Sequence, residues 1–171
     1  MRKSRKGQRG SPLYNPRAQG GWLLYFAYAA LLEPDELSAV CPGAAFDRVA
    51  HLPEVRMTFS ITNAGWSGGL PSVEAKTANT VWGAIFNIPQ KQQTALKTRE
   101  ESEGRHSTTE FVAIDRAGGR FEVVTFVGGT GDGALQPSVD YMRKVIEGAR
   151  HWGLPGGWVA GLEELIEEPL I

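Results

Sequence analysis

The chain has 171 residues, 42% hydrophobic and 22% charged, which is enough apolar material for one folded domain with its own core. Its single cysteine, Cys41, excludes a disulfide scaffold and fits a reducing compartment. His51, His106 and His151 lie far apart and away from Cys41, which excludes a structural zinc site of ordinary spacing.

The net charge of −1 hides a split. Residues 1–20 hold six basic side chains (Arg2, Lys3, Arg5, Lys6, Arg9, Arg17) and no acid, while the remainder holds 12 basic and 19 acidic groups, a net of −7. The first 20 residues, rich in Gly, Ser, Pro and Asn, read as a disordered basic tail, and 21–171 as the domain. Such a tail could touch nucleic acid or an anionic surface, but six charges beside one aromatic, Tyr14, make a weak nucleic-acid signal. The acidic body argues against nucleic acid as a partner except through this tail.

The run from Gly21 to Leu32 resembles the apolar stretch of a secretory signal. Tyr25 and Tyr28 interrupt it, and Glu33-Pro34-Asp35-Glu36 follows where small neutral residues should lead to cleavage. Val40 directly before Cys41 is a poor lipoprotein site. The run reads better as a buried first strand, Trp22–Ala29. No apolar run reaches the roughly 18 residues a spanning helix needs, so the expectation is a cytoplasmic protein without a membrane partner.

A short helix opens at Glu33-Pro34-Asp35-Glu36, with proline suited to the first turn. Val55–Ile61 alternates apolar and polar residues, as a half-buried strand does. Gly65-Trp66-Ser67-Gly68-Gly69 reads as a glycine-rich loop, its spacing unlike a nucleophile elbow. Asn79–Ile88 reads as a buried strand in which Gly83 permits close packing. Pro89–Glu101 is a helix by composition. Glu110–Asp115 and Arg120–Val127 form a hairpin around Arg116-Ala117-Gly118-Gly119. Gly128-Gly129-Thr130-Gly131-Asp132-Gly133 lacks the ending of a phosphate-binding loop and reads as a connection. Pro137–Trp152 has helical spacing of Val139, Met142, Val145, Ile146 and Ala149, with Ser138 as cap and Gly153 as stop. A last helix runs over Gly157–Glu168. The mixture without long crossovers is α+β.

Cys41 reads as a buried thiol. The carboxylates Glu100, Glu101 and Glu103 sit where the Pro89 helix should end. The negative end of the helix dipole and neighbouring like charges both raise a carboxyl pKa, which suits a general base. These effects do not choose among the three.

Several short motifs in order do choose. Tyr25-Phe26-Ala27-Tyr28 entering a tight turn, Val81-Trp82-Gly83-Ala84-Ile85-Phe86, Leu96 four residues before Glu100, Pro137-Ser138 with Tyr141, Gly148-Ala149 and Gly153-Leu154-Pro155 resemble the γ-glutamylcyclotransferase family along residues 22–166. The resemblance implies a small mixed β-barrel with flanking helices. It implies release of 5-oxoproline from a γ-glutamyl amino acid or amine by attack of the substrate's own α-amine, without cofactor or metal. It implies Glu100 as the catalytic acid/base, and Tyr25, Phe26, Ala27, Tyr28 and Tyr141 as substrate-binding residues, in a monomer or homodimer. Three features depart from the family's pattern: Ala29-Ala30-Leu31 replaces Gly-Ser-Asn, Glu101 replaces a glycine after the base, and a later tyrosine is replaced near His106. A glycine that requires positive φ would make Ala29 strained by about 1 kcal/mol. Two other readings follow from these departures and from the tail: a weak or inactive relative that binds a small anionic metabolite, and an interaction protein using residues 1–20.

Overall fold

The computed structural model describes residues 21–129 and 135–167. The expectations for the basic tail and for Thr130 to Gly133 fall outside them, while the last helix, expected to run to Glu168, already ends at Leu165. The described chain runs β1 (Leu23–Ala27), α1 (Pro34–Val40), β2 (Ala45–Ile61), β3 (Leu70–Ile88), α2 (Gln93–Glu103), β4 (Ser107–Asp115), β5 (Arg120–Val127), α3 (Val139–Trp152) and α4 (Gly156–Leu165). The five strands close a barrel in the order β1-β3-β2-β4-β5. β1 and β5 meet in parallel, and the remaining paired strands are antiparallel. This is the small mixed barrel with flanking helices expected from sequence.

The apolar run at the start is strand and turn together. β1 pairs Tyr25 with Phe86 of β3 on one side and with Val124 of β5 on the other. The strand is shorter than Trp22–Ala29: it stops at Ala27, and Ala30–Leu32 form one turn of 3₁₀ helix. Residues Leu24 to Leu32 are all buried and join the single core. Gly83 lets β3 lie close to β1, since a Cβ there would fall 2.3 Å from the Ala27 carbonyl oxygen.

β2 and β3 begin well before the alternating segments at Val55 and Asn79. Their pairing shifts register between Phe46 and Arg48, between Pro53 and Val55, and between Thr58 and Ile61. Each shift turns the side-chain alternation over, so period-2 reading finds fragments of long bent strands. At the central bend Glu54 and Ala78 take positive φ (60° and 65°), and the Ala78 N–H donates to Glu54 Oε1 at 2.8 Å.

The helix ends follow their chemistry. The Glu33 side chain accepts from the Glu36 N–H at 2.9 Å with Pro34 in the first turn. Ser138 caps α3, and Gly153 ends it at φ 78°. After Pro89 the chain first makes a 3₁₀ turn (Gln90–Gln92), and α2 then runs two residues past the expected end, to Glu103. Gly104 stops it in the left-handed region at φ 113°.

Candidate active site

Three elements converge at the end of β1. Tyr25 lies in the strand and Tyr28 just past it, α2 arrives with its last turn, and α3 arrives with its first. On α2 the buried residues are Leu96, Glu100 and Glu103, at i, i+4 and i+7. One face of this helix therefore points two carboxylates inward. The three candidate glutamates have different surroundings. Glu101 faces solvent and lies 3.8 Å from Lys97. Glu100 is 2% exposed and Glu103 6%.

Both oxygens of Glu100 are engaged. Oε2 accepts a short hydrogen bond from the Tyr25 hydroxyl, and Oε1 accepts from Arg105 Nη1 at 3.0 Å. Burial pushes the Glu100 carboxyl pKa above its ordinary value; Arg105 and the Tyr25 hydrogen bond oppose this, and Glu103 adds to it. The direction agrees with the sequence reading, but the leading cause is desolvation rather than the helix dipole.

Arg105 is the residue sequence reasoning missed. It stands one position past the Gly104 stop and is completely buried. Nε donates to the Pro71 carbonyl at 2.8 Å, Nη1 also reaches Glu103 at 2.5 Å, and Nη2 donates to the Tyr141 hydroxyl at 3.0 Å. The guanidinium carbon lies 5.8 and 5.7 Å from the ring centres of Tyr28 and Tyr141. An arginine after a helix stop ordinarily reads as solvated. The available signal was Glu100 and Glu103, two buried acids that need a cation. His106, near which the family's tyrosine is replaced, is exposed, and Arg105 fills the interior instead.

Tyr141 lies on the first turn of α3. Its hydroxyl donates to Glu103 Oε1 at 2.5 Å and accepts from the Ala30 N–H at 3.1 Å as well as from Arg105. The structure thus brings Tyr25, Tyr28, Glu100 and Tyr141 to one place. Phe26 and Ala27 are in the same strand, but Phe26 turns its carbonyl to the Thr125 hydroxyl at 2.6 Å, and the Tyr28 hydroxyl donates to the Phe126 carbonyl at 2.6 Å. Trp66, from the glycine-rich loop, meets the Tyr141 ring edge-on at 5.1 Å. Burial raises the pKa of Tyr25, Tyr28 and Tyr141 in each case, so all three stay neutral donors.

The departing turn is unstrained. Ala29 has φ −119°, so no positive φ is forced on it. Ala30 and Leu31 are buried apolar groups where the family carries Ser and Asn. Cys41 is a buried thiol, 3.6 Å from the Gln92 carbonyl, and burial raises its pKa to about 11. No cluster of three or more His, Cys, Asp or Glu suited to a metal occurs among the described residues. Nor, among them, is any helix long and apolar enough to cross a membrane.

Residues 80–162 match the model of the AIG2-like family. The gamma-glutamylcyclotransferase of Bos taurus is 25% identical over 144 residues, 81% of this chain and 77% of its own. That of Homo sapiens is 26% identical over 137 residues, 77% and 72% of the two chains. Among solved structures, a gamma-glutamyl cyclotransferase superposes with a TM-score of 0.77 at 24% identity, covering 87% of this chain and 89% of that one. A human protein described as uncharacterized superposes at 0.79 with 22% identity, covering 88% and 92%. These matches bear out the resemblance drawn from the motifs, in both sequence and fold.

Proposed function

We propose that this chain, a relative of the γ-glutamylcyclotransferases, converts a γ-glutamyl amino acid or amine to 5-oxoproline and the free amine. Glu100 takes a proton from the substrate's α-ammonium. The freed amine attacks the γ-carbonyl carbon, forming the five-membered ring. The ring nitrogen then sheds its second surplus proton, the bond from that carbon to the leaving nitrogen breaks, and Glu100 carries both protons in turn to the departing nitrogen, which leaves as an ammonium. No water enters and no group is oxidised or reduced. Tyr25 and Arg105 hold the carboxylate on either oxygen. Tyr25, Phe26, Ala27, Tyr28 and Tyr141 shape the substrate's seat.

One observation carries this reading: a carboxylate buried at the end of β1 with a raised pKa, aimed by a tyrosine and an arginine. A buried ionisable group of this kind is what a base working near neutral pH needs. The lone, buried thiol supports the cytoplasm as its location. The test is 5-oxoproline release from a γ-glutamyl amino acid, from glutathione and from a γ-glutamyl amine. Release from at least one is expected, with Glu100→Gln lowering kcat by about 100-fold or more. No release from any of them sinks the proposal, and a fully active Glu100→Gln would move the base elsewhere.

A second reading has its own observation. At the turn Ala30 and Leu31 are buried apolar groups where the family carries Ser and Asn, so the side-chain hydrogen bonds of that turn are gone while its shape is kept. A relative that binds a small anionic metabolite without turnover would show calorimetric binding of 5-oxoproline or glutamate and no release.

A further inference from the structure

Glu100 is the inner end of a chain of alternating charges. Lys144 Nζ donates to Glu36 Oε2 at 2.9 Å, and Glu36 Oε1 accepts from Arg99 Nη2 at 2.8 Å. Arg99 Nη2 reaches Glu103 Oε2 at 3.1 Å. Glu103 and Glu100 then share Arg105 Nη1. Side-chain exposure falls along this path from 37% at Lys144 to 21% at Arg99, 8% at Glu103 and 0% at Arg105. Cations and anions alternate one for one, so the chain is neutral when every group is ionised.

Arg105 has little left to offer a ligand. Four of the guanidinium's five N–H groups point at the Pro71 carbonyl, the two carboxylates and the Tyr141 hydroxyl. A bidentate grip on a substrate carboxylate would break a buried bond. Its charge is therefore directed at Glu100, and Glu103 competes for it. Glu103 is held in turn by Arg99 from outside and by Tyr141 from α3.

We propose that Arg105 is a positioning residue that supplies the charge and the aim of Glu100, and that Glu103 sets how much of that charge Glu100 receives. This rests on Glu100 being the base. The ionisable groups facing Glu100 are Tyr25 from β1, Tyr28 from the turn, Glu103 and Arg105 from the end of α2, and Tyr141 from α3. The tyrosines remain neutral, so Arg105 and Glu103 are the charges that act. Removing them should move Glu100 in opposite directions. Without Arg105 the buried carboxylate loses its cation and titrates higher. Without the charge on Glu103, Arg105 acts on Glu100 alone and the carboxylate titrates lower.

The test uses the full chain labelled with ¹³C at glutamate side-chain carboxyls, the Glu100 resonance being the one missing in Glu100→Gln. Its titration midpoint is read in wild type, Arg105→Met, Arg105→Lys and Glu103→Gln, beside kcat and KM for 5-oxoproline release over the same pH range. The midpoint should rise by about one pH unit in Arg105→Met and fall by a similar amount in Glu103→Gln. The acid limb of the rate profile should follow, and kcat should drop by about 100-fold in Arg105→Met with KM little changed. Arg105→Lys should bring the midpoint back toward wild type while kcat stays low, because an ammonium lacks the planar fork. If Arg105→Met does not fold, Glu103→Gln, which keeps shape and arginine, still gives its downward shift. Midpoints equal in all variants, or moving the same way in both, overturn the proposal. The midpoints are read without turnover, so absence of 5-oxoproline release would sink the enzymatic reading while leaving the charge chain to be judged by its own titration.

Discussion

Glu100 illustrates how one residue can serve a site at the fold's expense. Its folded pKa is raised chiefly by burial, so the fold favours the protonated form. Stability from such a group is fully present below the ordinary glutamate value, about 4.3, and is lost as pH rises through the raised value. Above that value the ionised carboxylate therefore costs stability. Glu100→Gln, a neutral side chain of the same shape, should melt higher than wild type at pH 8 and close to it at pH 4, read by calorimetry across that range. A lower melting point at pH 8 would mean that the pairing with Arg105 outweighs the cost of burial. In the expected outcome, and with Glu100 in its proposed role, the variant is more stable and less active than wild type, a common relation at functional sites.

At the scale of elements, α3 couples the site to the turn after β1. A Cβ on Gly148 would sit 2.3 Å from the Leu32 carbonyl carbon and 2.4 Å from its oxygen, both backbone atoms. The same carbonyl accepts from the Trp152 indole at 2.7 Å. Gly148→Ala must push the helix and the 3₁₀ turn apart, and Tyr141 and Ala30 move with them. It should cost about 1–3 kcal/mol in urea unfolding and lower 5-oxoproline release beyond what the stability loss explains. The glycine inside this helix and the one that ends it were legible in advance, because Gly148 stood among the motifs and Gly153 follows an apolar period of 3.6. So were Pro34 and Ser138, since caps depend on local chemistry. The starts of β2 and β3 were not legible, because their bulges reverse the alternation that marks a strand. Nor was Arg105, whose burial depends on glutamates two and five residues earlier and a tyrosine 36 residues later. The site was readable as residue types in order; what bonds each of them depends on distant pairings.

The whole molecule depends on closing a barrel whose seam is slight. β1 and β5 share one register pair, Tyr25 with Val124, in a parallel arrangement that joins residues about a hundred apart in sequence. Side chains reinforce the seam. Thr125 Oγ1 donates to the Phe26 carbonyl and the Tyr28 hydroxyl to the Phe126 carbonyl, both at 2.6 Å, and all four residues are buried. Thr125→Val keeps the shape of the side chain but takes the hydroxyl away from the Phe26 carbonyl. Losing a buried hydrogen-bond partner costs about 1–3 kcal/mol, and here the loss falls on the closure that holds Tyr25 and Tyr28 against Glu100. Thr125→Val should therefore unfold at lower denaturant, speed hydrogen exchange of the β1 amides more than those of the β4–β5 hairpin, and reduce 5-oxoproline release although residue 125 reaches the site only through the Phe26 carbonyl. Equal acceleration of exchange in β1 and in the hairpin would mean that the barrel opens as a whole, with no weak seam between β1 and β5.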